Sequence, residues 1–348
     1  QKIGRLSFQP VLLPGSDADH CCVLVSAMAA CLANQGESAV ALMTEILNET
    51  SFTDRKLLRD LLNQSAISAQ MALPSSGHIY AITHMGAYHT AHGIAREYTG
   101  GAELASWFKR ISTADDTALD ELLASMERLA KQVFVAERLT VSCSESVTDN
   151  LLDQLTLPAG TAAPEEAQYV PLGIRQEGIV IPAAVGFAGK GTNLKRHGEA
   201  FSGSIPVLAN VLNFVYLWSE IRVRGGAYGC GFVGRDDGDI GYYTYRDPQP
   251  GRSLDVMDNA AAFVRTFCAD EPDLTGFILS AVSALDPLLN DGKPLLQGHL
   301  LRGCLPPLQS ACAHHPCRSA VPVRCTGRYH RRQRRLCGGR SKPNGRLW

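Results

Sequence analysis

The sequence lacks three features that would assign a protein to a compartment or class directly. It has no run of eighteen apolar residues, so we expect no membrane-spanning helix and no membrane partner. It begins with glutamine, and no charged segment followed by an apolar stretch precedes the first strands, so we expect no signal peptide and a longer parent chain. It also lacks a C-x-x-C pair, which disfavours the common zinc modules.

The composition is that of a globular protein. Of 348 residues, 45% are hydrophobic and 19% are charged. This length is sufficient for two domains that each bury a substantial core. The cysteines before residue 293 lie mostly in apolar segments, where cysteine behaves as a small hydrophobe, and their spacing indicates no disulfides. We therefore predict a reducing compartment, the cytoplasm or, in a eukaryote, an organelle matrix.

Charge is divided unevenly along the chain. Of 33 basic and 34 acidic residues, 12 basic and no acidic ones lie from Lys293 onward, which leaves a net charge of −13 for the part before Lys293. Residues 293–348 also hold five of the eleven cysteines and four of the ten histidines. They show neither helical nor strand periodicity. These residues therefore form a basic tail that differs from the rest of the chain.

Three explanations of this basic tail are open. RRQRR at residues 331–335 would attract phosphate groups, as an arm that binds nucleic acid or an acidic surface does. CAHHPC at residues 312–317 offers zinc-ligand types, although its spacing matches no regular zinc module. Translation of GC-rich DNA in the wrong frame also yields such a composition. We favour this last explanation and expect a disordered tail without a nucleic-acid partner, because the tail cannot bury enough apolar surface.

The most distinctive stretch is residues 221–246, IRVRGGAYGCGFVGRDDGDIGYYTYR. Apolar residues at three- and four-residue spacing before it predict a helix that ends near Gly225, since two successive glycines stop a helix. Two strands of a hairpin are expected around the turn RDDG at residues 235–238. Arg222 in the last helical turn and Tyr228 at the start of the next strand would then point to one spot in a cleft.

Hydrophobic periodicity predicts further strands and helices on both sides of this stretch. Strands are predicted at residues 6–13, 22–29, 133–143, 178–188, 227–233 and 239–245. Helices are predicted at residues 35–47, 54–67, 78–98, 104–110, 118–129 and 252–267. We expect Thr53 to be the N-cap of the second helix and PSSG at residues 74–77 to break the helical pattern.

Motifs spread over most of the chain point to one known family. They are RVRGGAY at residues 222–228 with YRDP at 245–248, EGIVIP at 177–182 with GKGTN at 189–193, TEIL at 44–47 with FTD at 52–54, and SGH at 76–78. Together they resemble the C-terminal half of the pitrilysin/insulinase family of zinc metallopeptidases, in its presequence-protease branch. The resemblance covers roughly residues 5–290.

This resemblance implies an α+β fold of two tandem α/β two-layer units of the mitochondrial-processing-peptidase-like type, each a sheet packed against helices. We place the first, non-catalytic unit at residues 1–148 and the second, C-terminally incomplete unit at residues 170–292. The linker is expected at residues 149–169, whose small, proline-bearing and charged composition is typical of a domain boundary. The tail at residues 293–348 lies outside the resemblance.

The resemblance also implies site residues. In the family, the arginine and tyrosine of this motif reach the zinc site of the N-terminal half, where they hold the substrate and the developing oxyanion. Arg222 and Tyr228 are therefore the predicted catalytic residues. Gly225, Gly226 and Ala227 between them are predicted to bind substrate. The implied reaction is peptide hydrolysis by a zinc-bound water with a glutamate base.

The zinc motif of the family is missing from this sequence. The family binds zinc through H-x-x-E-H and a downstream glutamate, and neither this motif nor H-E-x-x-H occurs here. His89 and His92 would share a helical face near His84, but the first carboxylate that follows is Glu97. We expect structural roles for these histidines, no metal bound by this chain, and zinc held by an N-terminal half that the sequence does not contain.

We therefore predict the C-terminal, substrate-binding half of a zinc endopeptidase that degrades peptides in a closed chamber and is inactive by itself. Its partners would be a peptide substrate and an N-terminal catalytic half, in the same polypeptide or a separate subunit. The alternative is a non-catalytic peptide-binding or scaffold subunit paired with a separate zinc-bearing subunit. Glycine-rich residues 225–231 follow a helix and enter a strand, the reverse of a phosphate loop. Cys230 has no base nearby in sequence, so no nucleophilic role is assigned.

Overall fold

The computed structural model describes residues 3–143, 151, 153–160, 169–173, 175–285 and 324–326. The first part opens with an antiparallel hairpin in which Arg5 pairs with Ala30 and Pro14 with Cys21. Its strands, which confirm two predicted ones, are Arg5–Pro14 (β1) and Cys21–Ala30 (β2). Helices follow at Gly36–Glu49 (α1), Arg55–Ala87 (α2), Ala91–Gly100 (α3), Ala102–Ser112 (α4) and Asp116–Val133 (α5). A short strand, Val141–Cys143 (β3), pairs with Arg324–Thr326 (β7).

The second part is built on a three-stranded antiparallel sheet. Its strands are Gly189–Asn193 (β4), Gly229–Gly234 (β5) and Asp239–Tyr245 (β6), with β6 in the centre. Its helices are Ser204–Val211 (α6), which continues as a π-helix over Leu212–Val223, then Pro250–Ala269 (α7) and Thr275–Leu285 (α8). This mixture of helices and antiparallel sheets confirms the α+β class and the predicted β5–β6 hairpin.

Two of the predicted strands are wrong. Of residues 133–143 only β3 is a strand, because α5 extends further than its periodicity indicated. Residues 178–188, all of them described, carry no strand, and β4 begins after them. The stretch looks strand-like because it is apolar, but Pro182 cannot donate to a ladder. Ile179 and Val180 are 52% and 98% exposed, so the stretch is not buried in the sheet.

Helix α2 is longer than predicted. The side chain of Asp54 accepts a hydrogen bond from the Leu57 N–H at 2.8 Å, so the N-cap is Asp54 and not Thr53. The helix continues through residues 74–77, where a proline and the non-helical torsions of Ser76 bend it without ending it. The predicted break is therefore a kink.

The sheet of the second part is covered on both faces. On one face, glycines at alternate positions let α2 approach closely. For example, a Cβ added at Gly189 would lie 3.1 Å from the Cβ of Ala81. The other face packs against the π-helix and α7 in a hydrophobic core whose buried members are Ala188, Leu212, Leu217, Ile221, Ala227, Phe232, Met257 and Ala260. A helix from the first predicted domain thus covers the sheet of the second.

The predicted domain limits remain a prediction. The expected linker, residues 149–169, lies outside the described residues except for 151, 153–160 and 169. The basic tail, residues 293–348, lies outside them except for β7. The expected disorder and lack of nucleic-acid binding of that tail are therefore not addressed by the fold.

The helical stretch Ser204–Val223 is long and apolar enough to cross a membrane by length and composition alone. A buried core helix passes the same test. Leu212, Leu217 and Ile221 of this helix are at most 1% exposed and belong to the core under the sheet. We therefore interpret it as the helix that anchors the β5–β6 hairpin.

Candidate active site

The helix before β5 ends in a tight turn made by Gly225, Gly226 and Ala227. Gly226 has a φ of +80°, which glycine adopts at little cost, and its N–H donates to the Arg222 carbonyl oxygen at 3.0 Å. The Ala227 N–H donates to the Ile221 carbonyl oxygen at 3.2 Å. A Cβ on Gly225 would lie 2.5 Å from that same oxygen. The turn therefore requires its glycines and brings the helix end close to the start of β5.

Arg222 points out of the last helical turn with its hydrogen-bond donors open. Its Cζ lies 4.1 Å from the centroid of the Trp218 ring. Within the described part of the chain its guanidinium makes no ion pair or hydrogen bond. Its neighbours differ, since both Arg224 and Arg252 pair with Glu220. Arg222 is thus free to bind a group from outside this chain.

Tyr228 lies beside Arg222 and carries its phenol into solvent. The Arg222 Cζ is 5.7 Å from the centroid of the Tyr228 ring, and Tyr228 is 67% exposed. Its backbone N–H donates to the carbonyl oxygen of Arg246, whose φ of +48° makes an irregular end to β6. Tyr228 therefore has an anchored backbone and an accessible hydroxyl group. Arg222 and Tyr228 do come together, as the sequence predicted.

An aromatic cluster supports Tyr228 from below. The ring of Tyr245 meets Tyr228 edge-on at 5.8 Å between centroids and meets His78 of α2 at 4.7 Å. His78 also contacts Phe187 and Tyr243. Burial lowers the pKa of the His78 imidazole, and its Nδ1 is buried without a hydrogen-bond partner among the described residues. Sequence reasoning noted SGH at residues 76–78 only as a motif and missed this contact.

His84 is held between two carboxylates. Its Nδ1 lies 2.9 Å from Glu97 Oε1 and its Nε2 lies 2.9 Å from Glu177 Oε2. The Tyr88 hydroxyl also donates to Glu177. The hydrogen bond to Glu97, together with Glu177 and against the cost of burial, raises the pKa of His84 to about 9. His84 is therefore a cation that ties the segment before β4 to α2 and α3.

The other histidines of this region also have structural partners. His92 Nδ1 lies 3.2 Å from Asp237 Oδ2 in the β5–β6 turn. His89 is 6% exposed, and burial lowers the pKa of its imidazole. Its carbonyl oxygen accepts a 2.6 Å hydrogen bond from Arg196 Nε. The predicted structural roles of these histidines are thus matched by their contacts.

We asked whether these residues fit the zinc ion that the resemblance implies. Both ring nitrogens of His84 are already bound to carboxylates, and the three histidines face different partners. In the described part of the chain, no group of three or more His, Cys, Asp or Glu side chains could hold a metal ion. The described residues therefore do not fit a zinc site.

Cys230 is occupied as well. Its Sγ donates to the Leu217 carbonyl oxygen at 3.2 Å, and burial raises the pKa of its thiol to about 11. A thiol with such a pKa is a poor nucleophile near neutral pH. The side chain therefore joins the π-helix to β5 and has no place in the candidate chemistry.

Two family models match the chain. The model described as the PreP C-terminal domain matches residues 176–302, and a model described as a peptidase-associated domain of the same group of metallopeptidases matches residues 1–111. The first match includes Arg222, Tyr228 and the whole three-stranded sheet. The second includes the β1–β2 hairpin and helices α1 to α4. The two models together cover most of the described residues.

Curated relatives agree with the family models. The chain is 27% identical over 298 residues to presequence protease 1, chloroplastic/mitochondrial, of Arabidopsis thaliana, covering 82% of this chain and 27% of the relative. It is 26% identical over 267 residues to protein HypA of Clostridium perfringens, covering 75% and 27%. It is 24% identical over 311 residues to the mitochondrial presequence protease of Xenopus tropicalis, covering 78% and 30%.

The chain thus spans less than a third of the length of each of these relatives. The match to a C-terminal domain model places this portion within such a protein. Zinc and peptide hydrolysis are properties of the family as a whole. These matches show that the chain is a presequence-protease-like member of the pitrilysin family of metallopeptidases and corresponds to the C-terminal half of such a protein.

Proposed function

We propose that this chain is the substrate-binding half of a zinc-dependent endopeptidase that degrades peptides inside a closed chamber. The observation that carries the proposal is the pair Arg222 and Tyr228. The guanidinium has no protein partner among the described residues, and the phenol beside it is 67% exposed. Both stand on backbone fixed by the buried core. Open donors on a rigid support are what an anionic transition state requires.

In the proposed reaction the two side chains act on the carbonyl group of the scissile peptide bond. The Tyr228 hydroxyl donates a hydrogen bond to the carbonyl oxygen as that oxygen becomes negative. Arg222 donates to neighbouring substrate carbonyl groups and keeps positive charge near the oxyanion. Gly226 is exposed at the turn and can approach a peptide backbone, whereas Gly225 and Ala227 are buried. These last two would serve by holding the turn.

We place zinc in an N-terminal half, in the same polypeptide or in a separate subunit, because the described residues of this chain do not fit it. The metal would supply an activated water and polarise the scissile carbonyl group. The proposed compartment is the cytoplasm or an organelle matrix. The printed names of the Arabidopsis and Xenopus relatives are mitochondrial or chloroplastic.

The test combines the full chain with the remainder of a relative. This chain would replace the matching region of the Arabidopsis presequence protease, and cleavage of a fluorogenic peptide would be measured. We expect the chain alone to be inactive and the hybrid to be active. Tyr228→Phe in the hybrid should lower kcat/KM by about 10²- to 10³-fold, the usual effect of losing one oxyanion donor.

Tyr98→Phe is the matched control, since Tyr98 is 55% exposed on α3 and belongs to no part of the candidate site. Its kcat/KM should equal that of the unchanged hybrid. Equal activity of the Tyr228→Phe hybrid would remove Tyr228 from catalysis. Cleavage by the chain alone with bound zinc would overturn the division of the active site.

The non-catalytic alternative predicts a hybrid that binds peptide without cleaving it. Strand addition to this sheet is restricted at both edges. The side chain of Asn213 accepts from the Phe232 N–H at 2.6 Å and donates to the Phe232 carbonyl oxygen at 3.1 Å, on the outer edge of β5. The backbone of Gly191 on β4 is hydrogen-bonded to the ring of His89. These contacts favour the catalytic proposal over peptide binding by strand addition.

A further inference from the structure

Trp218 is a large apolar side chain in an exposed position. It is 47% exposed on the π-helix and lies four residues before Arg222. Among the described residues, the guanidinium of Arg222 lies against it, with its Cζ 4.1 Å from the ring centroid. A tryptophan held half in water beside an open arginine requires an explanation.

We propose that Trp218 is a positioning residue that holds the Arg222 guanidinium ready for substrate. This inference rests on the proposed function, because it concerns how Arg222 binds a peptide. The guanidinium lies against the ring face of Trp218, and the Tyr228 ring lies on another side at 5.7 Å. Trp218 thus supplies the restraint that an acidic partner supplies to other arginines.

The geometry explains why an aromatic ring suits this task better than a carboxylate. A guanidinium stacks through its flat face, whereas its N–H bonds lie in its plane. A ring therefore fixes the side chain without using any hydrogen-bond donor. A carboxylate would occupy two donors, as Glu220 does for its arginine neighbours. Stacking leaves all donors of Arg222 directed toward a substrate.

The support of the ring is rigid. Leu217 and Ile221, which directly precede Trp218 and Arg222, are both fully buried in the core. Asn213, one turn earlier, is tied to the β5 backbone through two hydrogen bonds. The helix face that bears the stack is therefore fixed relative to the hairpin that bears Tyr228. Trp218 can transmit this fixed geometry to Arg222.

The first test uses the active hybrid. Trp218→Leu should raise KM for the peptide about five- to tenfold, with a smaller change in kcat, and Trp218→Phe should restore most of the loss because it keeps a ring face. In an Arg222→Ala background, Trp218→Leu should have no further effect. Phe214→Leu, at a 66% exposed position one turn away, is the control and should change nothing.

An equal loss from Trp218→Leu with and without Arg222 would show that Trp218 acts independently and would overturn the inference. Unchanged KM in Trp218→Leu would overturn it too. A merely structural role predicts that Phe does not rescue and that kcat and KM change without dependence on Arg222.

The second test needs no activity and uses the full chain. Trp107 and Trp348 are replaced by Phe, so that Trp218 is the one remaining tryptophan. We expect Arg222→Leu to raise the acrylamide quenching constant of Trp218, because the guanidinium no longer covers the ring. An unchanged quenching constant would overturn the stack even in an active hybrid. A raised constant with an inactive hybrid would reject the proposed function and leave the stack standing.

Discussion

At the scale of single residues, the arginines and histidines of this chain divide by the partners that hold them. Arg222 rests on a ring and keeps its donors open, whereas Arg224 and Arg252 share Glu220. His84 is held by two carboxylates, which makes it a structural cation. Availability of a side chain to an outside ligand thus follows from what its neighbours leave free.

His84 makes stability depend on pH. Its pKa is raised from an ordinary value near 6.5 to about 9, first by the hydrogen bond to Glu97. A raised folded-state pKa means that the stabilisation is fully present below pH 6.5 and is lost as the pH rises through 9. Because Glu177 is partly exposed and screened, we expect His84→Gln to cost about 1 to 2 kcal/mol at pH 6. The cost should be close to zero above about pH 9.5, by the sign of this linkage.

Urea unfolding of both proteins at several pH values measures this dependence. His20→Gln is the control, since the His20 side chain is 63% exposed in its pair with Asp17. That variant should behave like the original protein at every pH. A difference between His84→Gln and the original protein that stays constant across this pH range would contradict the assigned ion pair.

At the scale of secondary-structure elements, glycines decide how the sheet and α2 meet. Alternate glycines on β4 and β6 form a flat face that the helix approaches closely. A row of larger side chains would push α2 and its His78 away from Tyr245. The aromatic contact under Tyr228 therefore depends on residues that carry no side chain.

Gly191→Ala tests this close approach. A Cβ at Gly191 would lie 2.2 Å from the Ile240 carbonyl oxygen and 2.8 Å from Met85 Cε. The backbone neighbour cannot rotate away, so we expect a loss of about 1 to 3 kcal/mol in the free energy of unfolding. Gly276→Ala on α8 is the control, because nothing lies within 4 Å of its added Cβ. That change should be neutral or stabilising by up to about 1 kcal/mol.

At the scale of the whole molecule, helices of the first part and the sheet of the second are packed into one core region. Besides α2, helix α3 contributes Arg96, whose Nη1 lies 3.2 Å from Asp239 Oδ2 on β6. Burial lowers the pKa of Arg96 and raises the pKa of Asp239. Asn193 of β4 donates to the same carboxylate at 2.8 Å. This buried pair joins the two parts through charge.

Removing one partner of that pair should destabilise the whole chain. We expect Arg96→Met to cost about 3 to 5 kcal/mol, because it leaves Asp239 buried without its counter-charge. The double variant Arg96→Met/Asp239→Asn should lose less than the sum of the two single variants. Chemical denaturation followed by circular dichroism measures both. Additive losses would show that the two side chains do not interact.

Much of the fold was predictable where the signal is local. The Gly-Gly helix stop and the RDDG turn placed the β5–β6 hairpin within two residues of its observed strands, because turn chemistry acts over a few residues. Residues 178–188 were mistaken for a strand because an apolar run does not say what covers it. The N-cap at Asp54 was missed by one residue because Thr53 offers the same chemistry.

What the sequence determined by itself is the pair Arg222 and Tyr228 at the two ends of a glycine turn, since six residues of backbone with two glycines allow few arrangements. Only the tertiary structure decided which polar groups are free. The partner of His84 on Glu177 is 93 residues away, and Asp239 is 143 residues from Arg96. Pairings over such separations depend on how helices and sheet pack. Periodicity and spacing along the chain do not carry that information.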